Sequence, residues 1–314
     1  MVAKKTIADG VLVAVDWGTS RLRAWLLDSA GDPVAEADSA DGIGRIDGGH
    51  EAAFERVVSA WPQAPAIMAG MIGSRQGWRE APYVRCPATT ADIAGGIIRF
   101  TTERGRPVAM VPGIAIRSGE GDVMRGEETQ VAGLIASAPA FAGTVILPGT
   151  HSKWVRVETG AIADFQTYMT GELFELLSQK SFLRHSVADA GGDLSTSTDF
   201  ALAVRRTAVE GLPFLAGLFP VRARQLLADV RPADNLAYLS GLVIGGEIAA
   251  ARSMRRLDAG DDFRIVGARS LARAYKQALE VAGFAAATLA GDRLVLAGLT
   301  DLARSIGLLP EIMK

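Results

Sequence analysis

Apolar and polar positions along this chain first alternate in short, strand-length blocks and later lengthen into helical ones. Residues 11–15, 22–28 and 33–38 read as three strands, with Ser29-Ala30-Gly31-Asp32 as a turn before the third. The pattern then predicts a helix at 50–61, a buried strand at 66–70 and a Gly-rich loop at 71–78. Residues 90–102 read as helical or mixed, 108–112 as a short strand, and 127–137 as an alanine-rich helix after the polar loop 117–126. The three-strand opening returns at 144–166. Helices dominate afterwards, at 171–179, 197–210, 213–228 and 233–253, the last with small residues (Ser240, Gly241, Gly245, Gly246) that permit close packing. A strand at 263–266 ends at Gly267, and helices are expected at 270–282 and 298–307. Strands interleaved with helices in both halves predict an α/β protein of two layered domains.

The two three-strand openings share chemistry as well as period. Each leads an apolar strand into Gly-Thr (Gly18-Thr19 and Gly149-Thr150). A basic, tryptophan-bearing strand follows, and a Gly turn (Gly31, Gly160) opens the third. In the first, Asp16 stands at a tight turn rich in backbone N–H groups and hydroxyls. Magnesium prefers one or two carboxylates plus phosphate oxygens, and clustered turn amides form an anion nest. The turn therefore predicts a magnesium–nucleotide polyphosphate site, and its recurrence predicts two similar lobes gripping one ligand. A hairpin whose Asp and Thr merely satisfy turn amides is the plainer alternative. The recurrence, and Arg23 on the exiting strand, weigh against it.

Composition narrows the function classes. At 314 residues the chain fits two ordinary domains, and 49% hydrophobic with 22% charged residues is globular. A net charge of −2 without a Lys/Arg block argues against a nucleic-acid partner. Cys86 is the only cysteine, so no internal disulfide can form, which fits a cytoplasmic protein. The apolar run before Asp16 is too short for a signal peptide. Residues 129–152 lack charge but are broken by Gly133, Pro139, Gly143, Pro148 and Gly149, so no membrane span is expected. There is no Walker A loop, no G-x-G-x-x-G opening a helix, no HExxH and no G-x-S-x-G, and His50, His151 and His185 lack metal spacing.

Two further segments carry candidate chemistry. In 117–130, Glu120, Asp122, Glu127 and Glu128 surround glycines at a helix entry. Glu127 and Glu128 would lie in the first helical turn, where simple capping and the helix dipole already favour negative charge. The functional reading makes one of them, or Asp122, the general base that orients a hydroxyl for attack on phosphorus. In the loop 70–78, Ser74, Arg75, Gln76 and Trp78 suit a small polyol, with Arg75 able to pair with a substrate carboxylate. A solvated surface loop is the plain alternative.

Asp16-Trp-Gly-Thr-Ser with Arg23 resembles the first phosphate motif of the actin-like sugar kinases. Pro148-Gly-Thr-His-Ser-Lys153 resembles their second, and Ile265-Val-Gly-Ala-Arg-Ser-Leu with the helix after it their adenosine motif. Further strings make the chain similar, over nearly its whole length, to the 2-dehydro-3-deoxygalactonokinase family. They are Met68-Ala-Gly-Met-Ile-Gly-Ser with Gly77-Trp78, Met124-Arg-Gly-Glu-Glu-Thr-Gln130, Met169-Thr-Gly-Glu-Leu173 and Leu239-Ser-Gly-Leu242. The resemblance implies two ribonuclease-H-like (actin-like ATPase) lobes, mixed sheets flanked by helices, with the active site in the cleft between them. It implies an N-terminal lobe at 1–138, completed by a C-terminal helix at 298–314, and a C-terminal lobe at 139–297. It also implies ATP-dependent phosphorylation of the 6-hydroxyl of 2-dehydro-3-deoxy-D-galactonate in galactonate breakdown. The alternatives are a kinase for another keto sugar acid such as 2-dehydro-3-deoxygluconate, or a non-enzymatic actin-like ATPase.

On that resemblance Asp16 holds Mg²⁺ through water, with Gly18, Thr19, Ser20 and Arg23 on the β- and γ-phosphates. Gly149, Thr150, His151 and Lys153 contact them from the other lobe, and Gly267 and Ala268 flank the adenosine. Glu127 or Glu128 accepts the proton. Ser74, Arg75, Trp78 and Arg125 face the sugar acid, whose carboxylate is neutralised by Arg75, Arg125 or Lys153. The apolar, alanine-rich second half could carry a homodimer face.

Overall fold

Strand β1 (Leu12–Trp17) is buried along its whole length except at Asp16, so the apolar run forms a core strand and delivers the carboxylate at its end. The structure, a computed structural model, describes residues 5–188, 191–254, 256–257 and 260–311. Positions 1–4 of the expected first lobe, 189–190, 255 and 258–259 of the second, and 312–314 of the expected closing helix lie outside the described residues. The chain divides into two compact units. The first runs to Phe141 and also takes Val157–Phe165 and the segment from Gly291; the second comprises Ala142–Arg156 and Gln166–Ala290.

In the first unit β1 pairs antiparallel with β2 (Leu22–Leu27), which pairs antiparallel with β3 (Pro33–Ser39). On its other side β1 lies parallel to β4 (Ala66–Ala69), with Asp16 opposite Ala69. Four elements follow: β5 (Tyr83–Arg85), β6 (Ala88–Thr89), β7 (Ile98–Thr101) and β8 (Pro107–Met110). Of these, β7 and β8 complete a six-stranded sheet of order β3-β2-β1-β4-β8-β7. Strands β9 (Gly113–Ile116) and β10 (Asp122–Met124) join β5 in a separate small sheet. The mixed segment 90–102 thus resolves into helix α2 (Thr90–Gly95) and β7, and the polar loop before Glu127 contains a strand. Helix α1 (His50–Val58) sets Phe54 into a core with Trp17, Leu22, Leu26, Met68 and Met110. Burying each such side chain stabilises the fold by about 1.5–3 kcal/mol. Helix α3 (Glu127–Ser137) packs on the C-terminal helix Gly291–Ser305 through Gly133 and Gly298, where a methyl on either would overlap the other's backbone.

A second sheet, drawn mainly from the second unit, repeats the order. Strands β11 (Gly143–Leu147), β12 (Ser152–Glu158), β13 (Ala161–Tyr168), β14 (Phe263–Gly267) and β15 (Ala286–Ala290) run β15-β14-β11-β12-β13, and β6 pairs with the Ala161–Ile162 end of β13. With the edge strands β7 and β6 set aside and the rest numbered by appearance, both sheets read 3-2-1-4-5, with the first strand parallel to the fourth and the fourth to the fifth. This is the strand order of a ribonuclease-H-like lobe, seen twice, with helices flanking mixed sheets. Helices α4 (Thr170–Glu175), α5 (Thr198–Val204), α6 (Phe214–Ala228), α7 (Pro232–Ser253) and α8 (Arg269–Val281) complete the unit. Short π-helical turns at Leu176–Lys180 and Arg205–Val209 extend α4 and α5. Gly241 of the small-residue stretch in α7 lies against the α5 backbone, as expected from its size. Among the described residues no helix is long and apolar enough to cross a membrane.

Candidate active site

The first turn is built from its neighbours. Gly18 N–H closes it on Arg21 O at 2.9 Å, and the Trp17 indole donates to Asp41 O at 2.7 Å, anchoring a loop whose Ile43 and Gly44 amides donate to Gly18 O and Thr19 O. Thr19 and Ser20 remain exposed, with Gly18 and Asp16 partly so. Asp16 Oδ2 accepts from Arg23 at 2.6 Å, and Arg23 also pairs with Asp292 at the start of the C-terminal helix. Arg23, expected on the phosphates, is therefore engaged by two carboxylates, and its evident effect is to orient Asp16. Asp292 was not singled out in the sequence; an acidic residue in a first helical turn is the signal it carried.

Close backbone packing ties this turn to the helix entry. Gly70, at φ +96°, follows β4; a side chain there would meet Trp17 O at 2.7 Å and Asp16 Oδ1 at 3.4 Å. Gly126 lies against Gly70, a Cβ on it falling 3.4 Å from the Gly70 Cα. The residues after Gly126 are Glu127 and Glu128, and the structure separates them. Glu127 is partly exposed and its Oε2 accepts from the Arg125 amide at 3.2 Å. Glu128 is 0% exposed, accepting from the Gly126 amide at 2.7 Å and the Thr129 hydroxyl at 3.1 Å. Burial, reinforced by the neighbouring Glu127 charge, pushes the Glu128 carboxyl up to about 8. Asp122, the third candidate base, lies on β10 before this entry.

The substrate loop divides as well. Ser74 and Arg125 are buried, at 6% and 8% exposure. The Arg75 side chain is 81% exposed and only 3.8 Å from Glu80. Trp78, expected at the sugar acid, packs its ring against Phe54 and Phe100, with centroids 6.2 and 5.4 Å away, and is half-buried against the core.

In the second unit the turn after β11 leaves Thr150 and His151 exposed and Gly149 partly exposed. His151 Nε2 lies 2.6 Å from Glu172 Oε2, and the Glu172 amide donates to Thr150 O, so the α4 entry holds the turn. Lys153 is buried, its Nζ 3.5 Å from His151 O. Gly267 lies beside Pro148, which aligns the end of β14 with this turn. A cavity of about 270 Å³ opens there, lined by Gly149 and Gly171, by Leu194 and Val243, and by Leu271 and Ala274 of α8. Gly267 and Ala268 are absent from its lining, which the adenosine motif supplies only from Ser270 onwards. Mostly apolar cavities with a few polar groups are the usual form of small-molecule sites. Sequence reading missed Glu247 entirely. Buried in α7, it accepts from Ser152 (2.7 Å), Trp154 (2.6 Å), Tyr275 (2.6 Å) and Thr170, and so ties β12, α4 and α8 together.

Comparison with known proteins decides the family. A profile of the 2-keto-3-deoxy-galactonokinases matches residues 16–302, a span that takes in both turns. The chain belongs to the 2-keto-3-deoxy-galactonokinase family. A protein of Rhizobium meliloti (strain 1021) named probable 2-dehydro-3-deoxygalactonokinase is 42% identical over 308 residues, 95% of this chain and 98% of that one. The 2-dehydro-3-deoxygalactonokinase of Escherichia coli (strain K12) is 36% identical over 301 residues, 94% and 98% of the two chains. A crystal structure from Sinorhizobium meliloti superposes with a TM-score of 0.88 at 40% identity, covering 96% and 99%. At 14% identity the fold alone is shared with component A of the Acidaminococcus fermentans (R)-2-hydroxyglutaryl-CoA dehydratase, TM-score 0.52, covering 94% and 98%.

For a kinase of this family the metal question reduces to Asp16. Among the described residues no three His, Cys, Asp or Glu side chains cluster as a cage. A single, partly exposed carboxylate at the end of β1 fits magnesium, which takes its other ligands from phosphate oxygens and water.

Proposed function

We propose that this chain transfers the terminal phosphoryl group of ATP to the 6-hydroxyl of 2-dehydro-3-deoxy-D-galactonate. Family membership supports the reaction class. The observation that carries the residue assignment is the separation of the two glutamates: Glu127 reaches solvent beside the Asp16 turn, whereas Glu128 is sealed. Glu127 is the general base. The substrate hydroxyl oxygen attacks the γ-phosphorus, its proton passes to Glu127, the bond to the bridging oxygen breaks and ADP leaves. Asp16 would hold Mg²⁺, which when bound neutralises phosphate charge. Thr19 and Ser20 donate to phosphate oxygens from the turn that the Gly18 amide closes on Arg21 O, and Arg23 keeps Asp16 in place. The resemblance implies Gly149, Thr150, His151 and Lys153 as phosphate residues of the second unit, and the cavity beside them takes the adenosine. Little covalent chemistry falls to the protein in such transfers, so positioning and charge neutralisation dominate the rate.

The reading includes a cytoplasmic enzyme, and a homodimer supported by the exposed Leu215 and Phe219 of α6. A coupled assay for ADP release across keto-deoxy hexonates, both C4 epimers included, tests the function. The galacto compound should give the highest kcat/KM, and Asp16→Asn should abolish turnover while thermal unfolding stays cooperative. A higher kcat/KM for the gluco epimer, or full activity in Asp16→Asn, would overturn the substrate or metal assignment respectively.

A further inference from the structure

Arg125 is a buried cation with most of its hydrogen-bonding capacity unused. A guanidinium carries five N–H donors. Here Nη2 donates to the Ala81 carbonyl at 2.8 Å, while Nε and Nη1, which carry three of the five, have no partner. The group lies over the Tyr83 ring, 4.3 Å from its centroid. The Ser74 hydroxyl is also buried and without a partner. Gly73, the residue before Ser74, packs closely on the cation: a Cβ there would sit 3.0 Å from Nη1, 3.3 Å from the Met110 Cγ and 3.4 Å from the Ala81 Cβ. An unpaired buried charge is costly, and native proteins leave few buried polar groups unmet unless a ligand or ion meets them.

We propose that Arg125 and Ser74 together receive the carboxylate end of the substrate, and that this site makes the enzyme select acids over neutral sugars. The inference rests on the kinase reading above and deepens it. Charge-assisted bonds from a guanidinium to a carboxylate are short and roughly twice as strong as neutral ones, and a hydroxyl adds a third donor. The Arg125 amide also donates to Glu127, so one three-residue stretch carries both the anion receptor and the base. Carboxylate and reacting hydroxyl stand at opposite ends of a six-carbon chain, which the stretch would fix in one direction. The exposed Arg75 has no such enclosure.

The test compares the keto-deoxy acid with its analogue in which the carboxylate is reduced to a primary alcohol, for wild type, Arg125→Gln and Ser74→Ala. Removing one partner of a buried charge pair is expected to lower kcat/KM for the acid roughly 100-fold in Arg125→Gln. Because the contact is the same in ground and transition states, the loss should fall mainly on KM, with KM for ATP unchanged. The acid-over-alcohol ratio should collapse towards one. Ser74→Ala, which leaves the cation in place, should raise the acid KM about fivefold without altering thermal stability, and so keeps the test open if Arg125→Gln fails to fold. Equal losses on acid and alcohol, or an unchanged acid KM in both variants, would overturn the site. A wild-type enzyme inactive on every keto-deoxy acid would instead overturn the kinase reading itself.

Discussion

Glu128 in the first unit and Glu247 in the second are both buried carboxylates, yet they are accommodated in opposite ways. Glu247 collects four side-chain donors from β12, α4 and α8, so elements far apart in sequence meet at one charge-bearing group. Glu128 accepts only from the Gly126 amide and the Thr129 hydroxyl, both within two residues, and faces the charge of Glu127. Burial raises both above the ordinary carboxylate range, opposed at Glu247 by its donors. Glu247 therefore acts as a fastening for the second unit. Glu128 is a local, proton-retaining neighbour to the more exposed Glu127.

Breaking the fastening should have the largest effect. Glu247→Ala leaves the Trp154 indole and three hydroxyls unmet in the core and should cost about 3–5 kcal/mol in denaturant unfolding. A loss below roughly 1 kcal/mol would mean that the donors find other partners. Glu127→Gln should lower kcat about 100-fold, whereas Glu128→Gln should lower it less than about tenfold; the reverse order would make the buried acid the base.

The smallest effect is on stability against pH. Glu128 is held near 8 in the folded chain, against an ordinary value of 4.5. The folded state therefore binds the proton more tightly. This stabilisation is complete below the unfolded value and is lost as pH rises through the folded one. Between roughly pH 6.5 and 7.5 the wild type should lose about 1 kcal/mol from this group. Glu128→Gln should show a correspondingly flatter profile in thermal unfolding across that range. Identical slopes for the two proteins would show that Glu128 is already ionised.

Much of the fold was legible because its signals are local. The apolar runs of β1 and β11 with their Gly-Thr turns, and the first-turn glutamates of α3, lie within a few residues of their neighbours. Failures came where local pattern was weak or ambiguous. Strand β15, Ala-Ala-Thr-Leu-Ala, lacks β-branched alternation, and the C-terminal helix begins at Gly291, seven residues before the expected 298. A tryptophan in a polar loop reads alike whether its ring stands free or, as in Trp78, packs against Phe54 and Phe100.

Sequence alone determined the repeated strand–turn grammar, because side-chain period and turn chemistry are properties of adjacent residues. It also placed two glutamates side by side and could go no further. Only the tertiary structure buried one and exposed the other, joined Arg23 to Asp292, and gathered four donors on Glu247. Burial and hydrogen-bond partnership are set by residues distant along the chain, and no local pattern encodes which of them will arrive.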